Sequence, residues 1–64
     1  METEATFVQQ LKAARKAAGL TQAGLAEALE IHRRTVEDWE RGINAPPKWS
    51  QRLLLEELAR MAKN

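Results

Sequence analysis

A chain of 64 residues is one domain, near the size at which a single apolar core only just outweighs chain entropy. It has no cysteine, which excludes a disulfide framework, a thiolate metal site and a thiol nucleophile, and its one histidine, His32, has no companions for a metal site. The net charge of +1 is low for a nucleic-acid binder, so any electrostatic footprint must come from placement: Arg33, Arg34, Arg41, Lys48 and Arg52 fall within twenty residues of one another.

The first predicted helix starts at Thr6, whose hydroxyl is spaced to cap it while Gln9 reaches back, as in a capping box. Phe7, Val8, Leu11, Ala14 and Ala18 form its apolar stripe. Arg15 falls on that stripe, seven residues after Val8 and four after Leu11, so a long cation points toward the interior and needs a partner there. Gly19 ends this helix, and Thr21 caps a second that runs through Leu29, with Leu25, Ala26 and Leu29 facing inward. The small Ala26 suits the close approach of a following helix.

Glu30, Ile31 and His32 make the next turn, with Ile31 plugging it. A third helix over about 33–41 buries Val36 and Trp39 and turns Arg33, Arg34, Glu37, Asp38 and Arg41 to the opposite face. Gly42 stops it, the segment INAPP connects, and Pro47 suits the first turn of a last helix, KWSQRLLLEELARMA. Leu53, Leu54, Leu55, Leu58 and Met61 cover a wider arc than one small core can bury, because consecutive residues fan out by about 100°. A second subunit is therefore expected on the C-terminal helix, through Leu54, Leu55, Leu58 and Met61. Trp49, in its first turn, is read as core, with interface as the alternative. The whole is an all-α, compact bundle of four to five short helices, one domain over 1–64 with ends that fray at about 1–5 and 63–64. The expected core is Leu11, Leu25, Ala26, Leu29, Ile31, Val36 and Trp39.

Laid out this way, the chain resembles the phage repressor and Cro-like helix-turn-helix family, often called the XRE family, over about 7–58. The resemblance rests on GLTQ at 19–22, Leu25 and Ala26, a hydrophobic turn residue at Ile31, TVEDWERG at 35–42, and proline soon afterwards. It implies a lambda-repressor-like fold with the helix-turn-helix at about 21–41. Three residues depart from the family pattern: Glu30 stands where the turn usually has glycine, Gly24 where a glutamate would complete a capping box, and His32 where a serine-like cap is usual.

The start of the second helix offers unpaired backbone N–H groups and a partial positive charge, which suit a phosphate. The resemblance gives that backbone contact to Gln22, with Thr21 as cap. It gives base reading to Arg33 and Arg34 and, one turn on, to Asp38. Arginine can pair guanine O6 and N7 in a bidentate manner, and Glu37 or Asp38 can accept from cytosine N4, so a half-site containing G·C is expected. The spacing leaves a second possibility open: Arg33 with Glu37 and Arg34 with Asp38 are four apart and can form surface ion pairs, in the weaker orientation with the cation N-terminal. Arg41, Asn44 and Lys48 correspond to the stretch that the family lays along the phosphate backbone, where contacts position rather than read. Glu40, at the edge of the buried face, and the inward-pointing Arg15 occupy positions that family members often join, so an Arg15–Glu40 salt bridge bracing the reading helix is expected.

The function these readings favour is sequence-specific binding of double-stranded DNA by a homodimer that acts as a transcriptional regulator, a repressor. The alternative is an antitoxin-type protein that neutralises a toxin partner and represses its own operon. No cofactor, metal or small-molecule effector site is expected, and nothing in the chain favours an enzyme. No apolar run approaches the roughly 20 residues of a bilayer span, and the opening METEAT is unlike a secretory signal, so a cytoplasmic location is expected.

Overall fold

The computed structural model describes residues 6–63. Four helices follow in order: α1 (Phe7–Ala17), α2 (Gln22–Leu29), α3 (Arg33–Glu40) and α4 (Lys48–Ala62), with no strand among the described residues. This is the all-α bundle at the lower of the two expected helix counts. The fraying expected of 1–5 and of Asn64 lies outside the described residues.

Helix starts follow the chemistry of their caps. At α1 the Thr6 hydroxyl accepts the Gln9 N–H at 3.2 Å and the Gln9 side chain accepts the Thr6 N–H at 3.1 Å, so two orphan donors are satisfied reciprocally. At α2 the Thr21 hydroxyl accepts the Gly24 N–H at 2.9 Å, but glycine has no side chain to return the bond. His32 makes no side-chain cap bond to α3. Pro47 sits one position outside α4 rather than inside it, in extended conformation, and its carbonyl accepts the N–H groups of Ser50 and Gln51 at 2.9 Å each.

The first three helices stop in the same way. A residue in the left-handed region (Gly19 at φ +72°, Glu30 at +58°, Gly42 at +83°) is followed by one whose N–H reaches five residues back. Leu20 donates to Arg15 at 3.1 Å, Ile31 to Ala26 at 2.9 Å and Ile43 to Asp38 at 2.7 Å. These are Schellman closures, and each carries the apolar follower that commonly seals such a stop against the helix it ends. Glycine holds the left-handed position twice without steric cost; Glu30 holds it with a Cβ, which costs about 1–2 kcal/mol. Glu30→Gly is therefore expected to stabilise the domain by about 1 kcal/mol, because glycine's larger unfolded-state entropy offsets part of the relief. A urea midpoint that does not rise would show that the strain is no larger than glycine's unfolded-state entropy.

One buried residue or pair from each helix makes the core: Leu11 from α1, Leu25 and Ala26 from α2, Val36 from α3 and Leu58 from α4. Around it pack Phe7, Ala14, Ala18, Leu20, Leu29, Ile31, Trp39 and Met61, all half-buried. Leu29, Ile31 and Trp39, expected inside, thus line the margin. Trp39 meets Phe7 edge to face with ring centroids 6.4 Å apart, an arrangement aromatic pairs favour. α2 packs on α3, and α1 packs on both α3 and α4.

Two expectations about α4 are corrected. Leu58 is wholly buried in the chain's own core and is not available to a second subunit, while Leu54, Leu55 and Met61 are half-buried on the same inward side. Trp49 is 71% exposed and is no part of the core. The reason is helical phase. With Leu58 facing α1, positions 53 and 49 lie about 140° and 180° round the helix, so Leu53 (54% exposed) and Trp49 form the outward apolar pair. The leucine arc does exceed what one core buries, but the part left over is its other edge.

Candidate nucleic-acid interface

The carboxylate of Glu40, the last residue of α3, is 3% exposed and receives three side-chain hydrogen bonds. Arg15 donates from Nε to Oε2 at 2.7 Å and from Nη2 to Oε1 at 3.2 Å, a bidentate pair. Gln22, the first residue of α2, donates from Nε2 to Oε1 at 3.1 Å. The remaining arm of Arg15, Nη1, donates to the Leu20 carbonyl at 3.0 Å. One carboxylate thus fastens the end of α3 to α1 and to the start of α2. Burial by itself would raise the Glu40 pKa; the hydrogen bonds from Arg15 and Gln22, with the positive charges of Arg15 and Lys12, outweigh it and hold the group below the usual glutamate value.

With its inner side so held, α3 turns four charged side chains outward. Arg33 and Arg34 open the helix with side chains 65% and 80% exposed. Arg33 Nε donates to Glu37 Oε2 at 3.0 Å. Arg34 Nε lies 3.8 Å from Asp38 Oδ1, an ion pair without a hydrogen bond. Both of the pairs that the spacing allowed are therefore present. Neither α2 nor α3 has an acidic residue in its first turn, so their positive ends are not neutralised by their own side chains.

Beyond α3, Arg41 is its C-cap, and Arg41 and Asn44 are exposed. Asn44 is left-handed at φ +52°, a conformation asparagine tolerates better than most residues. Lys48 is exposed at the start of α4 and lines a shallow groove there with Gln10, Gln51, Arg52 and Leu55. The expected residues therefore fall into four groups: Arg33, Arg34, Glu37 and Asp38 together on one helix face; Thr21 and Gln22 at the start of α2, with Gln22 tied to α3 through Glu40; Arg41 and Asn44 exposed just beyond α3; and Lys48 apart, beside the α1–α4 groove. The Gln22–Glu40 bond was not legible in the sequence, since it joins positions 18 apart through a side chain whose local pattern signals only a helix start.

Among the described residues no cluster of His, Asp or Glu is placed to hold a metal, and no helix is long and apolar enough to cross a membrane. No curated protein and no solved structure matches the chain. The model of the helix-turn-helix domain family matches residues 6–63, a span that takes in all four helices and both halves of the motif. The chain therefore belongs to the helix-turn-helix domain family, of the XRE and Cro-like kind that its stretch from Gly19 to Gly42 resembles.

Proposed function

We propose that this chain is a transcription regulator that binds double-stranded DNA sequence-specifically, with α3 in the major groove and repression as its mode of action. The observation that carries this reading is the pair of exposed arginines at the start of α3, on a helix braced from behind by the buried Glu40 network. In this reading Thr21 and Gln22 hold a backbone phosphate at the start of α2. Arg33, Arg34, Glu37 and Asp38 face base edges, and Arg41, Asn44 and Lys48 position the domain along phosphates.

Selection of bound sequences from randomised duplex DNA tests it directly. The expected product is a half-site containing G·C, with Arg33→Ala losing about 1–3 kcal/mol of discrimination, roughly 5- to 150-fold, at a base pair where guanine was preferred. Half-sites of A·T alone would remove both arginines from guanine reading, and an Arg33→Ala variant that selects the same sequence as strongly would remove Arg33.

The finer reading is a homodimer on two half-sites about one helical turn apart, with the exposed Trp49 and Leu53 of α4 meeting a second copy. Paired half-sites at fixed spacing in the selected sequences, together with a dimer in sedimentation, are the expected results. A monomer that selects single half-sites would leave the same apolar pair to another protein, as the antitoxin-type alternative requires.

A further inference from the structure

Base-reading arginines gain selectivity when their guanidinium is held in one orientation before the base arrives, because a free arginine can swing to a phosphate instead. We infer that Glu37 is the residue that performs this for Arg33, orienting its guanidinium for guanine, and that Arg34, lacking such a hold, is the less selective of the two. The inference rests on the DNA-binding reading above and adds to it a division of labour on the face of α3.

Three features point this way. Glu37 meets Arg33 at Nε, the nitrogen nearest the chain, at 3.0 Å. The two terminal nitrogens, whose parallel N–H groups suit guanine O6 and N7, make no protein hydrogen bond among the described residues. The acid therefore engages the arginine without occupying the end that would read the base.

The second feature is depth. Glu37 has a side chain 31% exposed against 65% for Arg33, so the acid is the more sheltered partner of the pair, as Asp38 is beside Arg34 at 22% against 80%. The third is the contrast with the adjacent pair, where the separation is 3.8 Å, no hydrogen bond forms, and Arg34 is 80% exposed. Such contacts contribute little to a free helix in water. Docking removes water from around them, and the Arg33–Glu37 bond then strengthens while it fixes the direction of the fork.

The test measures affinity for a selected duplex, for the same duplex with guanine replaced at the Arg33-dependent position, and for an unrelated duplex. Wild type, Glu37→Gln, Glu37→Ala and each of these combined with Arg33→Ala are compared, with helical content checked by circular dichroism. The expected result is opposite movement of two quantities. Removing a negative charge from a face that meets phosphates raises affinity for the unrelated duplex, while discrimination for guanine falls about fivefold.

In the Arg33→Ala background, Glu37→Gln should leave the remaining discrimination unchanged, since there is no arginine left to orient. Glu37→Gln raising discrimination together with affinity would show that the acid masks Arg33, and would overturn the assignment. A change of preference at a separate base pair that persists without Arg33 would make Glu37 a reader in its own right, which also overturns it. Unchanged discrimination does the same. Failure of the wild type to select any sequence would instead overturn the DNA-binding reading, and this assignment with it.

Discussion

Replacing Glu40 by alanine is expected to remove a large fraction of the domain's stability. The substitution removes the partner of a guanidinium whose side chain is only 14% exposed, and breaking such a pair from one side costs about 3–5 kcal/mol. A 64-residue domain at typical specific stability has about 3–10 kcal/mol in total. A urea midpoint lowered by a large fraction of its wild-type value, followed by helical circular dichroism, is the outcome that checks it. A near-neutral Glu40→Ala would mean that the pair is held no more tightly than a surface one. The double variant Arg15→Met/Glu40→Leu separates the two components of the loss. Replacing both charges by apolar groups should recover most of the stability, because the penalty lies mainly in the orphaned charge.

The same carboxylate gives the domain an acid limit. Its pKa is lowered in the folded state, so its contribution is present above the unfolded glutamate value of about 4.3 and is lost as the pH falls through the lower folded value. Stability measured against pH should therefore decline on the acid side of about 4.3, and the Arg15→Met/Glu40→Leu variant should show a shallower decline.

Leu58→Ala is the second large effect, at about 2–5 kcal/mol, because Leu58 is wholly buried and truncation leaves a cavity where α4 meets the core. Its diagnostic property is independence from protein concentration. A residue at a subunit contact acts through mass action, so its substitution costs nothing in the dilute monomer and gains effect as concentration rises past the dissociation constant, whereas a core residue costs the same at every concentration. Trp49→Ala, at a residue 71% exposed, should leave the unfolding free energy of the dilute protein within about 0.5 kcal/mol of wild type and act only on self-association. If Leu58→Ala were harmless in dilute solution, Leu58 would belong to an interface after all.

Local signals carried most of this fold. Thr6 with Gln9, Gly19, Thr21 and Gly42 each act within five residues, and the helix bounds they imply agree with the observed ones to within one residue at most ends. The Arg15–Glu40 pair was legible because an inward-pointing cation demands a partner and the family resemblance named one. What failed was the phase of α4. Three consecutive leucines leave the inward direction undetermined over more than half a turn, and only packing against α1 selects Leu58 over Leu53. Trp49 failed for the same reason, since its size argues for burial while its phase, opposite Leu58, puts it outside. The Gln22–Glu40 bond needed the relative placement of two helices, which no pattern within either helix contains.

That bond has a consequence for how such a domain changes its target. The start of α2 and the end of α3 hold the same carboxylate, so the angle between the anchoring end and the reading helix is set beneath the surface by residues 15, 22 and 40. The outward positions 33, 34, 37 and 38 contribute no hydrogen bond to that joint. Retargeting the domain to a new operator is then a matter of exchanging those four outward side chains on an unchanged mount, and the change should carry little penalty in stability.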